Sequence, residues 1–122
     1  MTSKVILVVE DQEDNRRIMR DLLTSAGFEV IEAFNGFDGV KEAETSRPDL
    51  ILMDIQLPGI DGYEATRRIK ANPEIKKIPI IVVTSYALSG DDVKAFEAGC
   101  DAYVAKPFSP RKLLGKIREY LP

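Results

Sequence analysis

The sequence contains no histidine, a single cysteine and no long apolar run. Without histidine the chain has no imidazole base, nucleophile or metal ligand, which excludes a Ser–His pair or a zinc-type His cluster from its own residues. Cys100 alone cannot close an internal disulfide, in keeping with a reducing compartment, and reads as a small core or loop thiol. The first apolar run, Val5 to Val9, spans five residues before Glu10-Asp11, and later runs are equally brief. That is too short for a signal-peptide core and far short of a membrane span. Excess positive charge is also missing: 17 Lys and Arg face 20 Asp and Glu, a net charge of -3. Nucleic acid and anionic membrane both reward clustered positive charge, so neither is expected as a partner, and the expected location is the cytoplasm. No GxxxxGKS or GxxxxGKT occurs, which excludes a P-loop nucleotide site.

What is present fits one domain. A chain of 122 residues with 44% apolar content can fill one core without disulfides or a structural metal. Short apolar runs alternate with segments of helical periodicity, the pattern of a parallel sheet covered by helices. Strands are expected at Val5–Val9, Glu29–Ala33, Leu50–Met53, Ile80–Val83 with Thr84 at its end, and Ala102–Ala105. The second is the least apolar and is expected nearer a sheet edge. Helices are expected over about 13–26, from Asn35-Gly36 onward with Phe37, Val40 and Ala43 inward, and over 63–70. A short helix opened by Ser89-Gly-Asp-Asp should turn Val93 and Phe96 inward. Ser109 as N-cap with Pro110 behind it should start the last helix, whose Leu113, Leu114, Ile117 and Leu121 make one stripe. Right-handed crossovers then imply a doubly wound sheet.

Four of the five strands end alike, in an apolar run followed by a reactive polar side chain: Glu10-Asp11, Asp54, Thr84 and Lys106. In an open parallel sheet the carboxyl ends share one edge, so three carboxylates, a hydroxyl and an ammonium should converge there. Crowded carboxylates repel, and a divalent cation relieves this; hard oxygen donors select Mg2+ or Mn2+ over zinc. Calcium fits less well, because no DxDxDG loop with a distal Glu is present. A metal-bound carboxylate at a strand tip can attack phosphorus to give an acyl phosphate, with Lys106 and Thr84 on the phosphoryl oxygens. Each residue taken singly has a plainer use. Glu10-Asp11 would charge a helix N-terminus, Asp54 would open a turn, Thr84 would be an ordinary strand residue, and Lys106 a solvated one. Their equivalent positions in the repeating unit favour the joint reading.

Val9-Glu10-Asp11, Leu52-Met53-Asp54-Ile55-Gln56-Leu57-Pro58-Gly59-Ile60-Asp61-Gly62, Val83-Thr84-Ser85 and Ala105-Lys106-Pro107-Phe108 together resemble the receiver domain of two-component response regulators. The resemblance covers essentially the whole chain. It implies a flavodoxin-like (βα)5 sheet of order 2-1-3-4-5. It implies that Asp54 is the phosphoacceptor, served by phosphohistidine on a histidine kinase or a histidine phosphotransfer protein. Since this chain has no histidine, that group belongs to the partner. Asp11 and Asp54 would ligate Mg2+ through side chains, Gln56 through its backbone carbonyl and Glu10 through water. Lys106 would pair with the phosphoryl oxygens and precede a cis bond to Pro107. Thr84 and Tyr103 match the switch pair that reshapes the face of the fourth helix, fifth strand and fifth helix, where a downstream protein target docks. Ser85 leaves access to the site, and Gln56 with Tyr86 flanks it and affects hydrolysis. Gln12, Asn15 and Ile18 match the donor-docking region, with core packing as the other reading of Ile18.

The chain stops at Pro122, just after the last helix, so a free-standing receiver spanning 1–122 without an output domain is expected. It would not be an enzyme beyond its own phosphorylation and dephosphorylation. A receiver module of a larger hybrid kinase or DNA-binding regulator is the alternative. A Mg2+-dependent phosphohydrolase with an aspartyl-phosphate intermediate is the competing class. Such enzymes need an acid two residues after the nucleophile, where Gln56 stands.

Overall fold

A computed structural model describes residues 3–84, 91–106 and 109–122; the expectations for Ser85, Tyr86, Ser89, Pro107 and Phe108 fall outside the described residues. Five strands, β1 (Val5–Val9), β2 (Glu29–Ala33), β3 (Leu50–Met53), β4 (Ile80–Thr84) and β5 (Ala102–Ala105), form one parallel sheet. Five helices alternate with them: α1 (Glu13–Ser25), α2 (Gly36–Ser46), α3 (Gly62–Ala71), α4 (Asp91–Ala98) and α5 (Pro110–Tyr120). The sheet order is β2-β1-β3-β4-β5, the flavodoxin-like arrangement expected, and the least apolar strand β2 lies at an edge.

The two-residue period of the strands splits their side chains between two layers. Leu7, Val9, Ile51, Met53, Ile80 and Val82 meet Ala43 of α2, Ala65 and Ile69 of α3 and Ala95 of α4. Ile6, Val8, Leu50, Leu52, Ile81 and Val83 meet Met19 and Leu23 of α1 and Leu113 and Ile117 of α5. The central strands are buried on both faces, as their unbroken apolar runs require. The order reverses between β1 and β3, which opens a crevice at their carboxyl ends.

Local chemistry sets the helix ends. Asn35, Asp61 and Ser109 each accept a backbone N–H from three residues on, at 2.8, 2.9 and 3.1 Å. Gly27, at φ +95°, lets the chain leave α1 in the left-handed region. No described helix is long and apolar enough to cross a membrane.

Three inward residues expected from the sequence point outward instead. Phe37, Val93 and Phe96 are each more than half exposed. In α2 the inward stripe is Gly36, Gly39 and Ala43, because a side chain at Gly36 would run into Ile60 and one at Gly39 into Val9. That close approach leaves Phe37 one position off the stripe, beside Gly59 and under the Arg68 guanidinium. In α4 the small residues Ala95 and Ala98 are buried, Ala95 within the core against the sheet, which turns Val93 and Phe96 away. Ile18 of α1 is 58% exposed, so the core-packing reading fails for it.

Candidate functional site

The parallel register brings the tips of β1 and β3 side by side. Val9 pairs with Met53, and the Asp54 N–H donates to the Val9 carbonyl at 3.1 Å. Glu10, Asp11 and Asp54 thereby come together, with a carboxylate oxygen of each within 4.8 Å of the others. Glu10 is buried, while Asp11 and Asp54 are half-buried and reach the crevice. From the far side of the sheet, the Lys106 N–H donates to the Thr84 carbonyl at 2.7 Å, which carries Lys106 past the end of β5 toward β1. Its Nζ donates to Glu10 Oε1 at 2.9 Å, although 96 residues separate the two.

Backbone donors hold the carboxylates in place. Glu10 Oε2 accepts from the Gln12 N–H at 3.2 Å, and Asp54 Oδ1 accepts from the Ile55 N–H at 2.7 Å. Gly62 opens α3 against the Asp54 backbone: a Cβ there would overlap the Asp54 carbonyl, while its own N–H donates to Ile55 O at 2.8 Å. Only glycine permits that approach, so the turn after Asp54 folds back close to the site.

Crowding appears in the titration of the acids. Burial, then the negative charge of Glu10, pushes Asp54 from its ordinary 3.8 to about 7, against the opposing pull of Lys106 and the Ile55 N–H. Asp11 is raised by burial and by the Glu10 carboxylate beside it. For Glu10 burial is the largest influence and favours the neutral form, but the Lys106 and Gln12 contacts outweigh it and hold the carboxyl below its usual range. One ammonium thus faces three acids, and it favours Glu10.

Such a cluster can hold a small divalent cation. Oxygens on one Mg2+ octahedron of about 2.1 Å radius lie about 3–4 Å apart, and the three carboxylate oxygens already lie within 4.8 Å of one another. The donors are all hard oxygens, with no imidazole in the chain.

Of the other residues singled out from sequence, Thr84 is buried at the end of β4, and Tyr103 is half-buried on β5 opposite Val82. Both make contacts of their own. Gln56 is exposed in the loop after β3. Gln12 and Ile18 are exposed and Asn15 half-buried, all beside the β1–α1 turn or on the first turns of α1. One neighbour of the acids escaped the sequence reading. Arg16 donates through Nη1 to the carbonyls of Glu10 and Asp11 at 3.0 and 2.9 Å. Its one sequence signal is a cation in the first turn of α1, where the helix dipole disfavours it.

The family model described as the response regulator receiver domain matches residues 6–118. The polar-differentiation response regulator DivK of Brucella anthropi is 42% identical over 118 residues, which cover 97% of this chain and 96% of that protein. A putative response regulator from Chloroflexus aurantiacus superposes with a TM-score of 0.94 at 32% identity, covering 98% of both chains. The receiver domain of a sensor histidine kinase from Pseudomonas aeruginosa superposes with a TM-score of 0.92 at 38% identity, again covering 98% of both. That domain carries a magnesium ion coordinated in its active site cleft.

Proposed function

The chain belongs to the response regulator receiver domain family of two-component signalling, and on that premise we propose that Asp54 is its phosphoacceptor. The observation that carries this reading is the meeting of Asp54 with Glu10 and Asp11 at the tips of adjacent strands, with Lys106 reaching in from β5. A phosphohistidine on a histidine kinase or phosphotransfer protein is the donor. An Asp54 carboxylate oxygen bonds to phosphorus, the bond from phosphorus to the imidazole nitrogen breaks, and an acyl phosphate results.

Asp11 and Asp54 would hold Mg2+ (or Mn2+) by their side chains, Gln56 by its carbonyl and Glu10 through water. The bound ion would offset the charge of the acids and of the transferring phosphoryl oxygens. Lys106 leaves Glu10 for a phosphoryl oxygen, and the Thr84 hydroxyl donates to another. Movement of Thr84 makes room for Tyr103 to turn inward. The new anion shifts a balance between two packings of the face formed by α4, β5 and α5. Val93 and Phe96, exposed on α4, give a downstream protein apolar purchase on that face.

Exposed Ile18 with Gln12 and Asn15 forms the donor-docking patch. We read the protein as a cytoplasmic signalling switch. The phosphohydrolase reading is disfavoured because Gln56, two residues beyond Asp54, is a carboxamide and cannot serve as a general acid or base near neutral pH. Beryllofluoride with Mg2+ tests the switch. Binding should raise the melting temperature by mass action and move the amide resonances of Thr84 and Tyr103. Resonances that stay put at saturating reagent would refute it.

A further inference from the structure

We propose that Arg16 is a positioning residue that holds the Asp11 carboxylate toward the acidic pocket, an inference that rests on the Mg2+-dependent reading above. The β1–α1 turn has only Glu10, Asp11 and Gln12 between strand and helix. Gln12, the N-cap of α1, makes no side-chain capping bond, unlike the capping residues of α2, α3 and α5. The turn is braced from outside instead.

Arg16 Nη1 donates to two successive carbonyls, Glu10 O at 3.0 Å and Asp11 O at 2.9 Å. Those carbonyls belong to the two peptide planes that flank the Asp11 Cα. Each plane is rigid, so fixing both leaves Asp11 little freedom in φ and ψ, and its side chain leaves the backbone in one direction. The guanidinium is itself fixed from two further sides. Its Cζ lies 4.0 Å from the centroid of the Phe34 ring, and its Nε is 3.9 Å from Glu32 Oε1. At 13% side-chain exposure, Arg16 is a tie between the turns after β1 and β2 more than a solvated cation. Phe34, more than half exposed, serves as the platform beneath it. A cation in the first turn of a helix opposes the dipole, and these contacts explain its tolerance there.

Charge and positioning predict opposite signs for its removal. The guanidinium favours ionised Asp11, but a cation near the acids repels Mg2+, so by charge alone its loss would tighten metal binding. If Arg16 positions Asp11, its loss weakens binding. The test compares wild type, Arg16→Met, Arg16→Lys and Phe34→Leu in Mg2+ titrations followed by the amide shifts of Asp11 and Asp54, with melting curves recorded without metal. Half-saturating Mg2+ should rise about tenfold in Arg16→Met, the lower end for groups that orient metal ligands. Arg16→Lys should restore part of it, and Phe34→Leu should give a smaller rise. Unchanged or tighter Mg2+ binding by Arg16→Met, whatever its melting temperature, overturns the inference. If Arg16→Met does not fold, Arg16→Lys and Phe34→Leu decide by the same criterion. A wild type without any Mg2+ response overturns this inference together with the reading beneath it, whereas normal wild-type binding with indifferent variants overturns this inference alone.

Discussion

Asp54→Asn should stabilise the metal-free protein, and the gain should depend on pH. In the native state burial and the Glu10 charge lift the Asp54 carboxyl from 3.8 to about 7. A carboxyl raised on folding binds its proton more tightly in the native than in the unfolded chain. Its contribution is therefore fully present below about pH 4 and is lost as pH rises through 7. A rise of that size corresponds to about 4 kcal/mol undiluted. The carboxyl is partly open to water and its neighbours can relax, so about 1–2 kcal/mol is the realistic figure. Asparagine keeps an oxygen for the Ile55 N–H, bonded at 2.7 Å, and removes the charge. With about 2.1 cal/mol/K of unfolding entropy per residue, the expected rise in Tm at pH 8 is about 4–8 °C. Thermal melts in EDTA at pH 8 and pH 5 measure it: the gain should be large at pH 8 and small at pH 5. Saturating Mg2+ should close the gap by stabilising the wild type more than the variant. A variant no more stable than wild type at pH 8, or a gain independent of pH, would refute the view that charge crowding strains this site.

Gly62→Ala should destabilise the fold by about 2 kcal/mol, since the new methyl meets the Asp54 carbonyl. It should also slow labelling of Asp54, which denaturation curves and acetyl phosphate labelling would check. Thr66→Val should stabilise by about 1 kcal/mol, because the buried Thr66 Oγ1 has no hydrogen-bond partner among the described residues and valine removes it without changing shape; a loss of stability in urea melts would refute this. Ile18→Asp, at a position 58% exposed, should change stability by no more than about 0.5 kcal/mol. It should slow transfer from a phosphohistidine protein while leaving acetyl phosphate labelling unchanged, and equal slowing from both donors would remove Ile18 from the docking patch.

The strands were legible in the sequence because each buried parallel strand is an apolar run bounded by turn residues, as in Leu50–Met53 between Pro48-Asp49 and Asp54. The acids and Lys106 were legible for a related reason: a parallel sheet collects every strand's carboxyl end on one edge. Helix faces were less legible. Reading Phe37, Val93 and Phe96 as inward weighed side-chain size above spacing, whereas Gly36, Gly39 and Ala95 face inward because small residues let the helices approach. Arg16 was not legible at all. Its contacts depend on a side chain folding back over its own turn and on a ring 18 positions later in the chain. Nor does spacing reveal that the Lys106 ammonium reaches Glu10, 96 residues away in the chain.

Mapping the modified residue tests most directly whether Asp54 takes the phosphoryl group. After incubation with acetyl phosphate and Mg2+, mass spectrometry of the intact chain and its peptides should place one phosphoryl group on Asp54, with none in EDTA and none in Asp54→Asn. Undiminished phosphorylation of the asparagine variant, or a modified residue outside the Glu10–Asp11–Asp54 crevice, would contradict it.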